Sequence, residues 1–244
     1  MDIIRVISLL LDYPQPQLQD AGNDLLAIVK QADLSAAKQQ QLSAFITDRA
    51  QSDIMDWQSE YDGLFERGRS LSLLLFEHLH GESRDRGQAM VDLMAQYQEA
   101  GLEIGVRELP DYIPLYLEFL STQGEENARL GLAEVAHILS VLQCRLEQRD
   151  SNYQALFAAL LELSGVKVEL APLREQLKSE KPDHTNEALD KVWEEEMVTF
   201  GPGAEKDGCA STSKPAETQR RDQYVPVQWS DASQPKSSNI PSGV

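Results

Sequence analysis

The stretch Leu73 to Met90, LLLFEHLHGESRDRGQAM, concentrates the residue types that most often do chemistry. His78 and His80 are candidate metal ligands or proton carriers, and Glu82, Arg84, Asp85 and Arg86 surround them with charge. A shared metal ion would need both imidazoles on one side. Helical residues two apart point about 200° from each other, so this pair cannot readily grip one ion. A zinc-binding helix spaces its ligands at i and i+4, as in HExxH, and that pattern is absent. Two readings remain for the residues themselves. One has a packed and a solvated histidine at a helix end, with the charges opening the next helix. In the other, the arginines line a recognition surface. A helical metal-dependent hydrolase using His78 or His80 is the enzyme alternative, and stoichiometric bound metal would be its mark.

Other catalytic patterns are missing. The two cysteines, Cys144 and Cys209, form no CxxC pair, which argues against a disulfide framework or thiolate zinc site. Cys144 lies among Val141, Leu142 and Leu146, where a buried inert thiol is expected. No nucleophile elbow, Walker loop or strand-linked GxGxxG is present. Glu194 to Glu196 read as a solvated helix face. More informative are polar residues set among apolar ones. YDGLFERGRS places Arg67 and Arg69 beside Tyr61, Leu64 and Phe65, and RELPDYIP places Glu108 and Asp111 beside Pro110, Tyr112 and Tyr116. Tyrosines and arginines are favoured interface anchors, and Gly63 and Gly68 permit close approach of another chain. Turn chemistry is the competing explanation.

The elements that must position these residues are helices. Ile3, Ile4, Ile7, Leu10 and Leu11 repeat at threes and fours, and Pro14 and Pro16 stop that helix. Leu25, Leu26 and Val29 mark a second helix, and Leu42, Phe45 and Ile46 a third. Ile54, Trp57, Tyr61, Leu64 and Phe65 mark a fourth, with Ser52 or Asp53 as its cap. Leu71 to Leu79 is apolar almost throughout. Leucine content and the lack of β-branched residues favour a buried helix there, closed by Gly81. Ser83 can cap the next, which buries Met90, Leu93, Met94 and Tyr97. Gly101 and Gly105 end it, and Pro110 suits the first turn of a helix carrying Ile113, Tyr116, Leu117 and Leu120. Leu132, Val135, Leu139, Leu142 and Leu146 form a further stripe, and Tyr153, Leu156, Phe157, Leu160 and Leu161 the last of the core. The expectation is an all-α protein, a single compact helical bundle.

Composition divides the 244 residues into a helical domain over 1–172, a linker with a short helix over 173–200, and a disordered tail over 201–244. The short helix lies in TNEALDKVWEEEMVTF, and the tail carries a basic, aromatic stretch, QRRDQYVPVQW, that reads as either solvated chain or docking motif. Net charge is −18, from 40 acidic and 22 basic residues, which argues against general nucleic-acid binding and favours a basic partner segment. No stretch approaches the roughly 18 apolar residues of a membrane helix, and the N-terminus lacks the pattern of a signal peptide. A cytoplasmic protein without membrane insertion is expected.

From Tyr61 to Leu102 and again over RELPDYIPLYLEFL, the sequence resembles the NarJ-type assembly chaperones of respiratory nitrate reductase. ALDKVWEEEMVTF and the tail QRR are also similar to that family. The resemblance implies the all-helical, TorD-like fold of the TorD/DmsD group of redox-enzyme maturation chaperones, and a chaperone rather than an enzyme. The implied client is the apoprotein of the nitrate reductase catalytic (alpha) subunit, bound through its N-terminal segment and a second surface. The implied role is support for insertion of the bis-molybdopterin guanine dinucleotide cofactor before membrane docking, with no cofactor permanently bound. Molybdenum-cofactor biosynthesis proteins are further implied partners. The group carries an E-P-x-D-H motif, which here reads Glu108, Leu109, Pro110, Asp111, Tyr112. The proline is displaced by one place and tyrosine stands for histidine, so a role needing imidazole does not carry over to Tyr112. The client-binding set carried by resemblance and residue type comprises Tyr61, Leu64, Phe65, Arg67, Arg69, His78, His80, Arg84, Arg86, Glu108, Pro110, Asp111, Tyr112 and Tyr116. Tyr61, Leu64 and Phe65 would shape a groove, and Glu108 and Asp111 would meet basic client residues at its rim. A permanent scaffold subunit of a redox complex is the remaining alternative.

Overall fold

In the computed structural model, residues 2–79, 84–105 and 108–196 are described. The chain begins with α1 (Asp2–Leu11), whose Ile3, Ile4, Ile7, Leu10 and Leu11 are buried as their spacing predicts. Pro16 does more than stop it. With no amide proton to leave unpaired, it opens the short α2 (Pro16–Asp20). Helices α3 (Gly22–Gln31) and α4 (Ala36–Gln51) follow, then α5 (Ile54–Phe65), capped by Asp53 Oδ1, which accepts from Met55 N at 2.8 Å.

The apolar run Leu71 to Leu79 departs from expectation. Only α6 (Leu75–Leu79) is helical, while residues 71–74 are irregular and Leu74 forms an isolated antiparallel bridge with Tyr112. A short run so rich in leucine carries no clear period to distinguish helix from strand, and here the decision is made by long-range partners. Ile113 N donates to Leu73 O at 2.8 Å and Leu75 N to Asp111 O at 2.9 Å, satisfying backbone groups that an intrahelical ladder would otherwise take.

Helix α7 (Arg84–Glu99) buries Leu93 and Tyr97, but Met94 is 40% exposed, contrary to the expected stripe. The expected Gly81 and Ser83 caps lie outside the described residues. Helix α8 (Ile113–Thr122) has Pro114, not Pro110, in its first turn, with Tyr112 at the N-cap. The stripe from Leu132 to Leu146 is split at Val135 between α9 (Glu125–Glu134) and α10 (Ala136–Gln148). Helix α11 (Gln154–Ser164) buries Leu156 to Leu161 without interruption, because α1, α4, α9 and α10 all pack around it. Helix α12 (Leu170–Leu177) spans the point where composition changes and packs on α10, and α13 (Asn186–Glu196) lies within TNEALDKVWEEEMVTF. The all-α expectation holds: the described residues form thirteen helices and no strand. The tail expected over 201–244 lies outside them.

Candidate functional site

The loop before α8 and the first turn of α8 are fixed from three directions. Tyr97 OH donates to Pro110 O at 2.8 Å, Phe76 N donates to Asp111 Oδ2 at 3.1 Å, and Ser8 Oγ of α1 donates to Pro114 O at 2.7 Å. Asp111 is fully buried and Pro110 is buried beside it. Burial pushes the Asp111 carboxyl above the usual range, against the opposing pull of the Phe76 amide and of Arg86, whose Nη2 lies 3.9 Å away. Arg86 also approaches Glu77 at 3.6 Å.

This fixed loop forms one wall of a groove of about 150 Å³. Arg5, Ser8, Leu9 and Asp12 from α1 and its end face Glu108, Tyr112, Pro114, Leu115 and Glu118. Glu108, Glu118 and Asp12 are exposed, giving the groove an acidic rim against the single cation Arg5. Leu9, 44% exposed, and the half-buried Leu115 add apolar surface. Tyr112 OH donates to Asp12 Oδ1 at 3.0 Å and lies 3.2 Å from Tyr61 OH, which donates to Leu11 O at 3.1 Å. Burial raises the pKa of both phenols, so they remain neutral hydrogen-bonding groups.

The expected site residues separate into distinct environments. Tyr61, Leu64 and Phe65 are buried, Tyr61 alone reaching a groove residue through Tyr112, and Phe65 packs on Tyr61 and Tyr153 at 4.9 and 5.1 Å between ring centroids. Tyr116 is buried elsewhere, donating to Gly131 O at 3.1 Å where an added Cβ on Gly131 would meet Leu120 Cδ2 at 2.5 Å. Arg67 and Arg69 are exposed on the loop after α5. Arg69 and His78 line a second cleft, toward α10 and α12. There His78 Nε2 lies 2.8 Å from Ser72 O, and burial lowers its pKa, so its imidazole is engaged with backbone. His80 and the Arg84 side chain lie outside what is described. Among the described residues, no group of three or more His, Cys, Asp or Glu side chains could hold a metal ion. None of the described helices is long and apolar enough to cross a membrane.

The α1 wall of the groove was not anticipated from the sequence. Arg5, Leu9 and Asp12 follow i, i+4, i+7 spacing on the face of α1 opposite its core stripe, a signal that was available but indistinguishable from an ordinary solvated face.

Fold and groove together define an all-helical protein with a shallow, acidic-rimmed cleft between α1 and α8. The chain belongs to the nitrate reductase delta subunit family, whose profile matches residues 30–159. It is 45% identical over 235 residues to the Escherichia coli K12 protein named "Probable nitrate reductase molybdenum cofactor assembly chaperone NarW", covering 96% of this chain and 98% of that one. It is 44% identical over 216 residues to the E. coli K12 nitrate reductase molybdenum cofactor assembly chaperone NarJ, covering 88% and 90% respectively. A Bacillus subtilis protein named as a probable NarJ is 29% identical over 64% of this chain and 84% of its own length. These relatives are named as assembly chaperones, not as enzymes, and the NarJ-type resemblance of the 61–120 region is to this same family.

Proposed function

We propose that the chain is an assembly chaperone that holds the apoprotein of the nitrate reductase catalytic subunit, including its N-terminal segment, while bis-molybdopterin guanine dinucleotide is inserted and before the complex docks at the membrane. The observation that carries this reading is the 45% identity along 98% of a relative named for that assembly role. The groove supports it. At about 150 Å³ it falls below the roughly 300–1,000 Å³ typical of sites that enclose a small molecule. It suits an anchoring side chain of a peptide rather than an enclosed small molecule. An amphipathic client helix would set an apolar residue between Leu9 and Leu115 and its basic residues against Asp12, Glu108 and Glu118. The net charge of −18 would steer such a segment toward the protein.

Calorimetry with the N-terminal peptide of the nitrate reductase catalytic subunit tests this directly. A Kd on the order of micromolar, about −8 kcal/mol, is expected, tight enough to hold and weak enough to release. The double change Glu108→Lys and Glu118→Lys, at exposed positions that leave the core untouched, should weaken binding at least about tenfold and reverse its salt dependence. No heat from the unaltered chain at millimolar peptide would overturn the proposal.

A further inference from the structure

The loop Gly68 to Ser70 faces the connection between α12 and α13, far along the chain. Gly68 has φ of +81°, and a Cβ added there would lie 2.7 Å from the Asp183 carboxyl carbon. Only glycine therefore permits this approach. Arg69 N and Ser70 N donate to Asp183 Oδ2 at 2.7 and 2.6 Å, while Ser70 Oγ and Arg149 Nη2 reach Oδ1 at 2.6 and 3.2 Å. Successive amides turned inward after a left-handed glycine make a nest of the kind that binds oxyanions. Burial pushes the Asp183 carboxyl up, but the donors from Ser70 and Arg69 more than offset this and hold it below the usual range.

The nest holds more donors than its internal carboxylate can use. Arg149 Nη1 is buried and has no hydrogen-bond partner. Arg145 lies beside it, donating to Ser70 O at 2.8 Å and gripping both oxygens of Glu180 at 2.8 and 2.9 Å. A cleft of about 540 Å³ adjoins these groups, with Arg69, Arg145 and Lys181 on its wall together with His78 and His137. The three cations are matched there by Glu77, Glu180 and Asp183, and two of these three carboxylates lie on the segment after α12.

We infer that Gly68 to Ser70, with Arg145 and Arg149, form a binding site for a diphosphate-bearing anion, filled in the resting chain by Asp183 and Glu180 as internal substitutes. A carboxylate presents two oxygens to the nest, whereas a phosphoryl group presents three, and the third can take the unused Arg149 donor. A second phosphoryl group would replace Glu180 on Arg145. The two displaced carboxylates both belong to the segment after α12, so ligand entry would release that segment from the loop after α5. The site does not depend on the client groove, which is built from α1 and α8.

Titration calorimetry of the full chain with inorganic pyrophosphate, at constant ionic strength, tests the site. Asp183→Asn should bind at least about tenfold more tightly than the unaltered chain, because a neutral amide is a weaker internal competitor. Glu180→Gln, a milder change at a half-exposed position, should tighten binding by about threefold and serves if the first variant does not fold. Adding Arg149→Lys to either variant keeps the charge but removes the forked donor, and should return the affinity to that of the unaltered chain or below. Affinity unchanged by Glu180→Gln, or unaffected by the added Arg149→Lys, would overturn the proposal by reducing any binding to general charge attraction.

Discussion

Arg49 and Asp111 are both almost withdrawn from water, at 5% and 0% exposure, yet their surroundings differ. Arg49 donates from Nη1 and Nη2 to both oxygens of Glu60 at 2.6 and 2.8 Å, and from Nη2 to Asn152 Oδ1 at 2.6 Å. Its guanidinium also lies over Phe45, Trp57 and Tyr153, at 5.0, 5.9 and 5.2 Å from the ring centroids. Only Nε lacks a partner. Asp111 has one backbone amide on Oδ2, a guanidinium 3.9 Å away, and an Oδ1 with no partner at all. A buried charge that is closely paired fixes a structure, whereas one left partly unpaired costs free energy that the surrounding contacts must offset. The Arg49 cluster ties α4 and α5 to Asn152 and Tyr153 at the entry to α11. Asp111 sits where the irregular 71–74 segment meets the loop that carries the groove, at a junction held by backbone hydrogen bonds rather than by a closely paired charge.

The contrast can be broken most decisively at Arg49. Arg49→Met should lower unfolding stability by about 3 kcal/mol or more, since Glu60 and Asn152 lose their partner and the aromatic rings lose the cation over them. A urea unfolding midpoint shifted with little change in slope is the expected signature. A loss below about 1 kcal/mol would mean that the cluster does not anchor these helices to one another. Next in size is Tyr153→Phe. It removes the acceptor of Trp57 Nε1, now at 2.7 Å, and leaves a buried indole N–H unpaired. About 1–3 kcal/mol should be lost, read by thermal or urea unfolding. A neutral outcome would imply that water replaces the phenol, and so that the cluster is looser than its geometry suggests.

These two regions also differ in how far the sequence discloses them. Trp57, Tyr61 and Phe65 fall at helical spacing, and so do Leu156, Phe157 and Leu160; the core helices follow from that periodicity because local backbone bonding and burial agree. The Asp53 cap was legible for the same reason, being a contact two residues long. The Asp111 junction was not. Leu71 to Leu74 carry no period, and their non-helical form depends on partners about 40 residues away that no local pattern specifies. Arg49 itself reads as one more surface cation of a polar helix until Glu60 and Asn152 are placed beside it. The Gly68–Asp183 contact lies further out of reach, since the glycine is recognisable as a turn residue but its partner is separated by more than a hundred positions. Within the groove, Glu108 and Tyr112 could be carried by resemblance, whereas Arg5, Leu9 and Asp12 emerge only when α1 is laid against α8.

The smallest effect, and the one with the opposite sign, belongs to Asp111. Burial raises its carboxyl pKa in the folded chain above the value near 3.9 of an unfolded aspartate, so the folded state holds its proton more tightly than the unfolded one. The stability this group contributes is therefore complete below about pH 3.9 and is lost as pH rises through the higher folded value. Asp111→Asn keeps an acceptor for the Phe76 amide but carries no charge to bury. At neutral pH the variant should match or exceed the original in stability, by up to about 1 kcal/mol, while the loss of the Arg86 pairing opposes the gain. At pH 4 the advantage should shrink, because the original chain is then partly protonated at the same position. Unfolding measured at pH 4, 5.5 and 7 on both chains reads this as a difference that grows with pH. A variant that is destabilised by 3 kcal/mol at neutral pH would place Asp111 with Arg49 among the closely paired charges, and the junction would then be as rigid as the core.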